Sequence, residues 1–230
     1  MPRRVPTIDP ALRPVITASA TLGTAVGVFG VSFGVGAVSA GASVLQACVM
    51  SLLVFTGASQ FSAVSVVGAG GSMASALAGA LVLAGRNGVY GLTMGRRIRG
   101  RLATRLVAAQ LTLDESTAMS VAQREPEAQR AAFWITGVCI YVFWNLGTLL
   151  GALLGSAVDP ETYGFDAAFP AGFVFMIWPL LQNRRGRIAA ALGVAICLAL
   201  VPVLPVGVPI LCASVAVLVG IPREHDGGHR

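Results

Sequence analysis

VITASATLGTAVGVFGVSFGVGAV, residues 15–38, runs for 24 residues without a charged side chain. As a helix it would be about 36 Å long, enough to cross a hydrocarbon core about 30 Å thick. Val38-Ser39-Ala40 resembles a leader-peptidase site, but a secretory leader has an apolar run of only roughly 7–15 residues. The length therefore predicts a first membrane helix that stays in place.

The same pattern repeats outward from this stretch. Residues 44–68, 72–95 and 131–155 are long and nearly charge-free, and 168–182, 188–203 and 206–220 are shorter apolar runs flanked by Pro179, Pro202, Pro205 and Pro209. The charges gather between them, at 3–13, 96–105, 124–130, 159–166, 184–187 and 223–230. The chain of 230 residues is 55% hydrophobic and 11% charged, with a mean hydropathy of +0.78. A soluble domain carries about a quarter of its residues charged. The expected fold is an all-α polytopic membrane helix bundle of about seven spans, with at least one broken or re-entrant helix. It divides into an N-terminal tail (1–14), a transmembrane domain (15–220) and a C-terminal tail (221–230).

The 16 basic residues are all Arg, and the net charge is +6. Without Lys there is no Schiff-base lysine and no Walker-type phosphate loop. Arginines clustered beside apolar segments read as membrane anchors, so no nucleic-acid partner is expected. Cys48, Cys139, Cys197 and Cys212 are scattered in apolar stretches without CxxC spacing. They read as buried thiols, with no metal site and no cofactor expected.

Arginine counting places 96–105 and 184–187 on the cytoplasmic side, and the loop bearing Asp159, Glu161 and Asp166 outside. The second half then alternates regularly, but the first half has the wrong parity. Three full crossings before Arg96 cannot put both residues 1–14 and 96–105 inside. Either the N-terminus is outside or 44–68 is broken or re-entrant.

The composition of 44–68 favours the second option. Thr56-Gly57-Ala58-Ser59-Gln60 lies in its middle, bringing a poor helix former and polar side chains to bilayer depth. An interrupted helix exposes a half-helix N-terminus, which can hold an anionic group such as a carboxylate. Gly57, Ser59 and Gln60 are the candidate residues, and close helix packing is the alternative use of such small residues.

Arg86 is the one charge within 72–95 and lies ten residues before Arg96, about 15 Å of helix and beyond snorkelling reach. A guanidinium at that depth needs a carboxylate. Asp114 and Glu115, midway through the ambiguous stretch 106–122, are the nearest acids in sequence. That pair must face protein or water. Asn87 and Tyr90 accompany Arg86, and Asn145 is a further polar group in the apolar run 131–155.

Gly23, Gly27, Gly30 and Gly34, and Gly147, Gly151 and Gly155, form four-residue stripes suited to helix packing. Gly30-Val31-Ser32-Phe33-Gly34 fits G-x-S-x-G but lies in a helical run, and His225 and His229 sit in the charged tail. No catalytic set is legible, and the chain does not read as an enzyme.

SLLVFTGASQFSAV (51–64), RNGVYG (86–91), LDES (113–116) and WNLGTLLGALLG (144–155), in this order and spacing, resemble the AzlC family, the large subunit of branched-chain amino-acid exporters. The resemblance covers nearly the whole chain. It implies a multi-pass protein of the bacterial inner membrane that exports branched-chain and other apolar amino acids, driven by proton motive force, with a small AzlD-type membrane subunit. On that reading the broken helix binds the carboxylate, and Asp114 and Glu115 couple to protons. The family commonly has Asn two residues before the Arg, His after it and Thr before the acidic pair, where this chain has Ala84, Asn87 and Leu113. The alternative function is a non-transporting membrane scaffold or regulatory subunit.

Overall fold

The computed structural model describes residues 12–157, 174, 177, 178, 180–216 and 218. Among these residues the regular structure is entirely helical. The helices are α1 (Arg13–Ser39), α2 (Val44–Val54), α3 (Ala58–Gly68), α4 (Met73–Gly95), α5 (Leu102–Gln110), α6 (Asp114–Val121), α7 (Pro126–Ala157), α8 (Arg184–Leu200) and α9 (Val208–Ala213). Segment 168–182 lies largely outside the described residues, as do the two tails and the end of 206–220.

α1 and α7 are the two described helices both long and apolar enough to cross a membrane. They form the spine of the molecule and lie parallel, because contacts advance together along both. Gly23 faces Cys139 and Phe143, Gly27 faces Phe143, Gly30 faces Trp144, and Gly34 faces Thr148 and Ala152. The backbones touch directly. A Cβ on Gly30 would sit 2.5 Å from the Trp144 carbonyl oxygen, and one on Gly151 would overlap the Val31 carbonyl. In lipid, where helices gain little from the hydrophobic effect, this close approach supplies the van der Waals contact that holds the pair. Buried hydroxyls add to it: Ser19 and Thr136 share a hydrogen bond of 2.8 Å. The four cysteines are free and half-buried rather than buried, and the Cys139 thiol donates to the Ser19 carbonyl oxygen at 3.2 Å.

Segment 44–68 does not continue as one helix. Ser43 and Gln46 cap the start of α2 reciprocally, with Ser43 N–H donating to Gln46 Oε1 at 2.8 Å and Gln46 N–H to Ser43 Oγ at 3.2 Å. The helix stops at Val54, and Gly57 then takes φ +56°, a left-handed conformation that disfavours side chains. The chain folds back from there. Gln60 Nε2 reaches the Met50 carbonyl oxygen at 3.2 Å, although ten residues of straight helix would separate them by about 15 Å. At the far end of α3, a Cβ on Gly68 would lie 3.2 Å from the Cβ of Ala40, beside the end of α1. α2 and α3 thus form a re-entrant hairpin that leaves by the end at which it entered.

Segment 106–122 is a second such hairpin, from the opposite end. α5 starts just beyond the arginines that follow α4, and its last turn reaches mid-α7, where a Cβ on Gly137 would lie 3.0 Å from the Leu111 Cβ. α6 then returns to the start of α7. Ser120 Oγ donates to the Gln129 carbonyl oxygen at 2.9 Å, and Arg97 Nε donates to Gln129 Oε1 at 3.0 Å.

Because residues 44–68 return to their own end, two passes, α1 and α4, separate the N-terminal end of α1 from 96–105. Both then lie at one end of the molecule, and the parity conflict disappears. The expected helical membrane architecture stands, with α1 and α7 as its two candidate spans among the described residues, and segment 44–68 turns back rather than spanning. α4 packs on α3, and α8 packs on α9, which also touches α4.

Candidate functional site

The two hairpin tips, 55–57 and 111–113, meet at the level of mid-α7 around a cavity of about 320 Å³. That is at the small end of the range for ligand pockets, roughly 300–1,000 Å³. α1 supplies an apolar wall of Leu22, Ala25, Val26 and Phe29, and α7 adds Ile140 and Trp144. The first tip contributes Phe55, Thr56, Gly57 and Ala58. Opposite them stand Arg86 from α4 and Leu113, Asp114 and Glu115 from the second tip.

A polar clasp fixes the first tip. Gln60, fully buried, accepts from the Gly57 N–H at 3.2 Å while its amide donates to Met50. The break also strips α2 of helical partners for its last carbonyls, and at membrane depth those must be satisfied by protein. Gln110 Nε2 donates to the Leu52 and Leu53 carbonyl oxygens at 2.9 and 3.2 Å, and the Tyr141 hydroxyl to that of Leu52 at 3.1 Å. Gln110 ends α5, so this bond ties one tip to the other. An aromatic group backs the tip: Phe33 stacks on Trp144 at 5.9 Å, and Phe61 meets both edge-on at 5.8 and 6.0 Å.

The second tip is built by Ser116, fully buried. Its Oγ accepts from the Leu113 N–H at 3.0 Å and donates to the Leu111 carbonyl oxygen at 2.7 Å. Asp114 and Glu115 then occupy the first turn of α6, where the helix dipole favours negative charge. The carboxylate expected for Arg86 is that of Asp114. Arg86 Nη1 lies 3.5 Å from Asp114 Oδ2, with the side chains 39% and 42% exposed. The pair is long and open to the cavity, which leaves both groups capacity for further bonds.

The other sequence candidates fall into different places. Gly57, Arg86, Asp114 and Glu115 line the cavity. Ser59 is buried in α3, and Gln60 is the clasp. Asn87 and Tyr90 are half-buried on α4 and do not line the cavity. Asn145 donates from Nδ2 to the Tyr141 carbonyl oxygen at 2.8 Å and lines a separate groove with Cys48, Leu52 and Tyr141. Sequence reading missed Thr56, Trp144, Gln110 and Tyr141. Thr56 Oγ1 and Trp144 Nε1, on cavity-lining residues, have no hydrogen-bond partner among the described residues, and neither does Ser59 Oγ. Gln110 carried one faint signal, as the polar residue just before the Leu-Thr-Leu break.

Comparison with known proteins bears on this arrangement. The family described as AzlC protein matches residues 21–158, the part of the chain that builds the spine and both hairpins. The inner membrane protein YgaZ of Escherichia coli is 30% identical over 191 residues, covering 79% of this chain and 74% of that one. The branched-chain amino acid transport protein AzlC of Bacillus subtilis is 23% identical over 188 residues, 81% of this chain and 71% of that one. An uncharacterized membrane protein of Helicobacter pylori is 27% identical over 156 residues, 66% of this chain and 68% of its own length. No solved structure matches.

Proposed function

The chain belongs to the AzlC family, and on that premise we propose that it is the large subunit of a secondary transporter exporting branched-chain and similar apolar amino acids across the bacterial inner membrane. The observation that carries this reading is the cavity between two hairpins of opposite entry, which joins an apolar wall to an acid–base pair at mid-helix depth. Ligand sites of secondary transporters lie at such interfaces, on half-helix ends.

In the proposed pose the carboxylate sits at the N-terminus of α3, opened by Gly57, where helical N–H groups and dipole favour an anion. The ammonium faces Asp114 or Glu115, and the aliphatic side chain lies against Leu22, Val26, Phe29 and Ile140. Without substrate, Arg86 takes the ammonium's place beside Asp114. A proton and an ammonium then compete for the same carboxylates, which makes proton antiport the drive. Each hairpin shields the cavity from one end of the molecule, so alternate loosening of the two would admit substrate from one side and release it to the other. The positive-inside rule puts 96–105, and with it the α5–α6 hairpin, on the cytoplasmic side. A small AzlD-type membrane subunit is the proposed partner.

The test is efflux of labelled leucine and methionine from dipeptide-loaded cells expressing the chain alone or with its small neighbour. We expect efflux that needs both chains, collapses with Arg86→Ala, and loses its pH dependence with Asp114→Asn and Glu115→Gln combined. Undiminished, equally pH-dependent efflux from the double variant would remove the carboxylates from the mechanism. No efflux in any arrangement, with the protein in the membrane, would favour a scaffold role instead.

A further inference from the structure

The cavity uses one arginine, whereas five others lie outside it between the end of α4 and the middle of α5. Arg96, Arg97, Arg99, Arg101 and Arg105 follow the apolar body of α4, and residues 92–113 contain no acid. Arg97 is engaged, through Gln129 and the Thr93 carbonyl oxygen at 3.1 Å. Arg96, Arg99, Arg101 and Arg105 are exposed and have no carboxylate partner among the described residues. The acids at the start of α7, Glu125 and Glu127, form no ion pair there either.

Beside these cations α5 is nearly unsupported. Only Ala108 of its side chains is buried, and Leu102 and Leu106 are 71% and 62% exposed. Between α5 and the end of α4 runs a groove of about 320 Å³, with buried Met94, Ala108 and Thr112 at its base, Gly91 and Gly95 exposed along α4, Leu102, Leu106 and Ala109 along α5, and Arg105 among its lining residues. The groove begins where apolar sequence gives way to arginine, which is headgroup depth in a membrane protein.

We propose that this groove is a binding site for an anionic phospholipid, with the phosphate held by Arg99, Arg101 and Arg105 and an acyl chain lying along α4 and α5. The charge decides the occupant. Guanidinium groups bind phosphate oxygens through paired N–H donors, and each basic residue near an anionic leaflet adds about 1 kcal/mol of attraction. A protein helix seated here would have to bring several acids to reach the same balance. The open space over Gly91 and Gly95 lets a methylene chain approach the α4 backbone, and the lipid supplies α5 with the apolar neighbour it lacks. The site does not depend on which solute the cavity carries.

The test is native mass spectrometry of the purified full chain in neutral detergent, with dioleoyl phosphatidylglycerol or dioleoyl phosphatidylcholine titrated in. Phosphatidylglycerol should bind preferentially, and affinity should fall about fivefold for each of Arg99, Arg101 and Arg105 changed to Gln. Ala109→Trp, which fills the groove at an exposed position and leaves the arginines in place, should also remove the preference. Glycerol 3-phosphate, which has the headgroup charge and no acyl chain, should not compete. Equal binding of the two lipids, full retention of preference in the triple Gln variant or in Ala109→Trp, or competition by glycerol 3-phosphate would each overturn the proposal.

Discussion

The α2–α3 and α5–α6 hairpins share a plan and differ in how they are held. Each is a pair of short helices that enters from one end, turns at mid-depth and leaves by the same end. Each tip is closed by a side chain that accepts the N–H three residues earlier, Gln60 for Gly57 and Ser116 for Leu113. The first hairpin is wedged between α1, α7 and α4, capped at reciprocal residues and backed by three aromatic rings. The second leans on α7 and α4 mainly through α6, while α5 lies exposed except at Ala108 and at its Gln110–Leu111 end. The firm hairpin has a neutral tip, and the loose one carries both acids. In a transporter that division is useful: the charged tip must change partners, and the neutral one provides a fixed surface against which it does so.

Breaking the firm side should have the largest effect on stability. Gln60→Leu keeps the volume but removes the partner of the Gly57 N–H and a second donor to the Met50 carbonyl, two half-buried groups at membrane depth whose lost bonds cost up to about 1–3 kcal/mol each. A loss of about 2–4 kcal/mol is expected, visible as a lower midpoint of thermal unfolding in detergent. Ser116→Ala does the same to the second tip, where α6 is short and α5 exposed. A loss of about 1–3 kcal/mol is expected, with amide exchange rising in residues 102–121 and little changed in 44–68. Exchange rising equally in both hairpins would show that they move as one body.

Gln110→Leu should have the smallest effect on stability, below about 1 kcal/mol, because Tyr141 still serves Leu52 and the bond is partly exposed. Its value lies in the link it cuts. If the tips are coupled through Gln110, the variant should alter efflux rate far more than it alters the unfolding midpoint. Equal and minor changes in both would mean that Gln110 only caps α2.

Much of this was written locally in the chain. An uncharged run of 24 residues has few alternatives to a membrane helix, and Thr-Gly-Ala-Ser-Gln inside such a run announces a break. The wrong parity of arginines pointed to 44–68, and the depth of Arg86 called for an acid in the way Asp114 supplies it. These are statements about the cost of burying charge or breaking a helix, and each can be read from a window of a few turns.

Other features depended on partners far away in sequence. Asn145 read as a site residue because a buried amide needs a partner; its Nδ2 bonds the carbonyl one turn back in its own helix, outside the cavity, and its Oδ1 has no partner among the described residues. Gln110 looked like an incidental polar residue until the fold placed it against carbonyls 57 and 58 residues earlier. Local sequence alone determined that this chain forms apolar helices of membrane length, that 44–68 carries a helix-breaking centre and that Arg86 needs a partner. The glycine register of α1 on α7 and the return of both hairpins to their own ends determined which breaks meet. Only tertiary structure could decide that, because hydropathy is the sum of local transfer costs, whereas a cavity exists only where surfaces distant in sequence are packed to face each other.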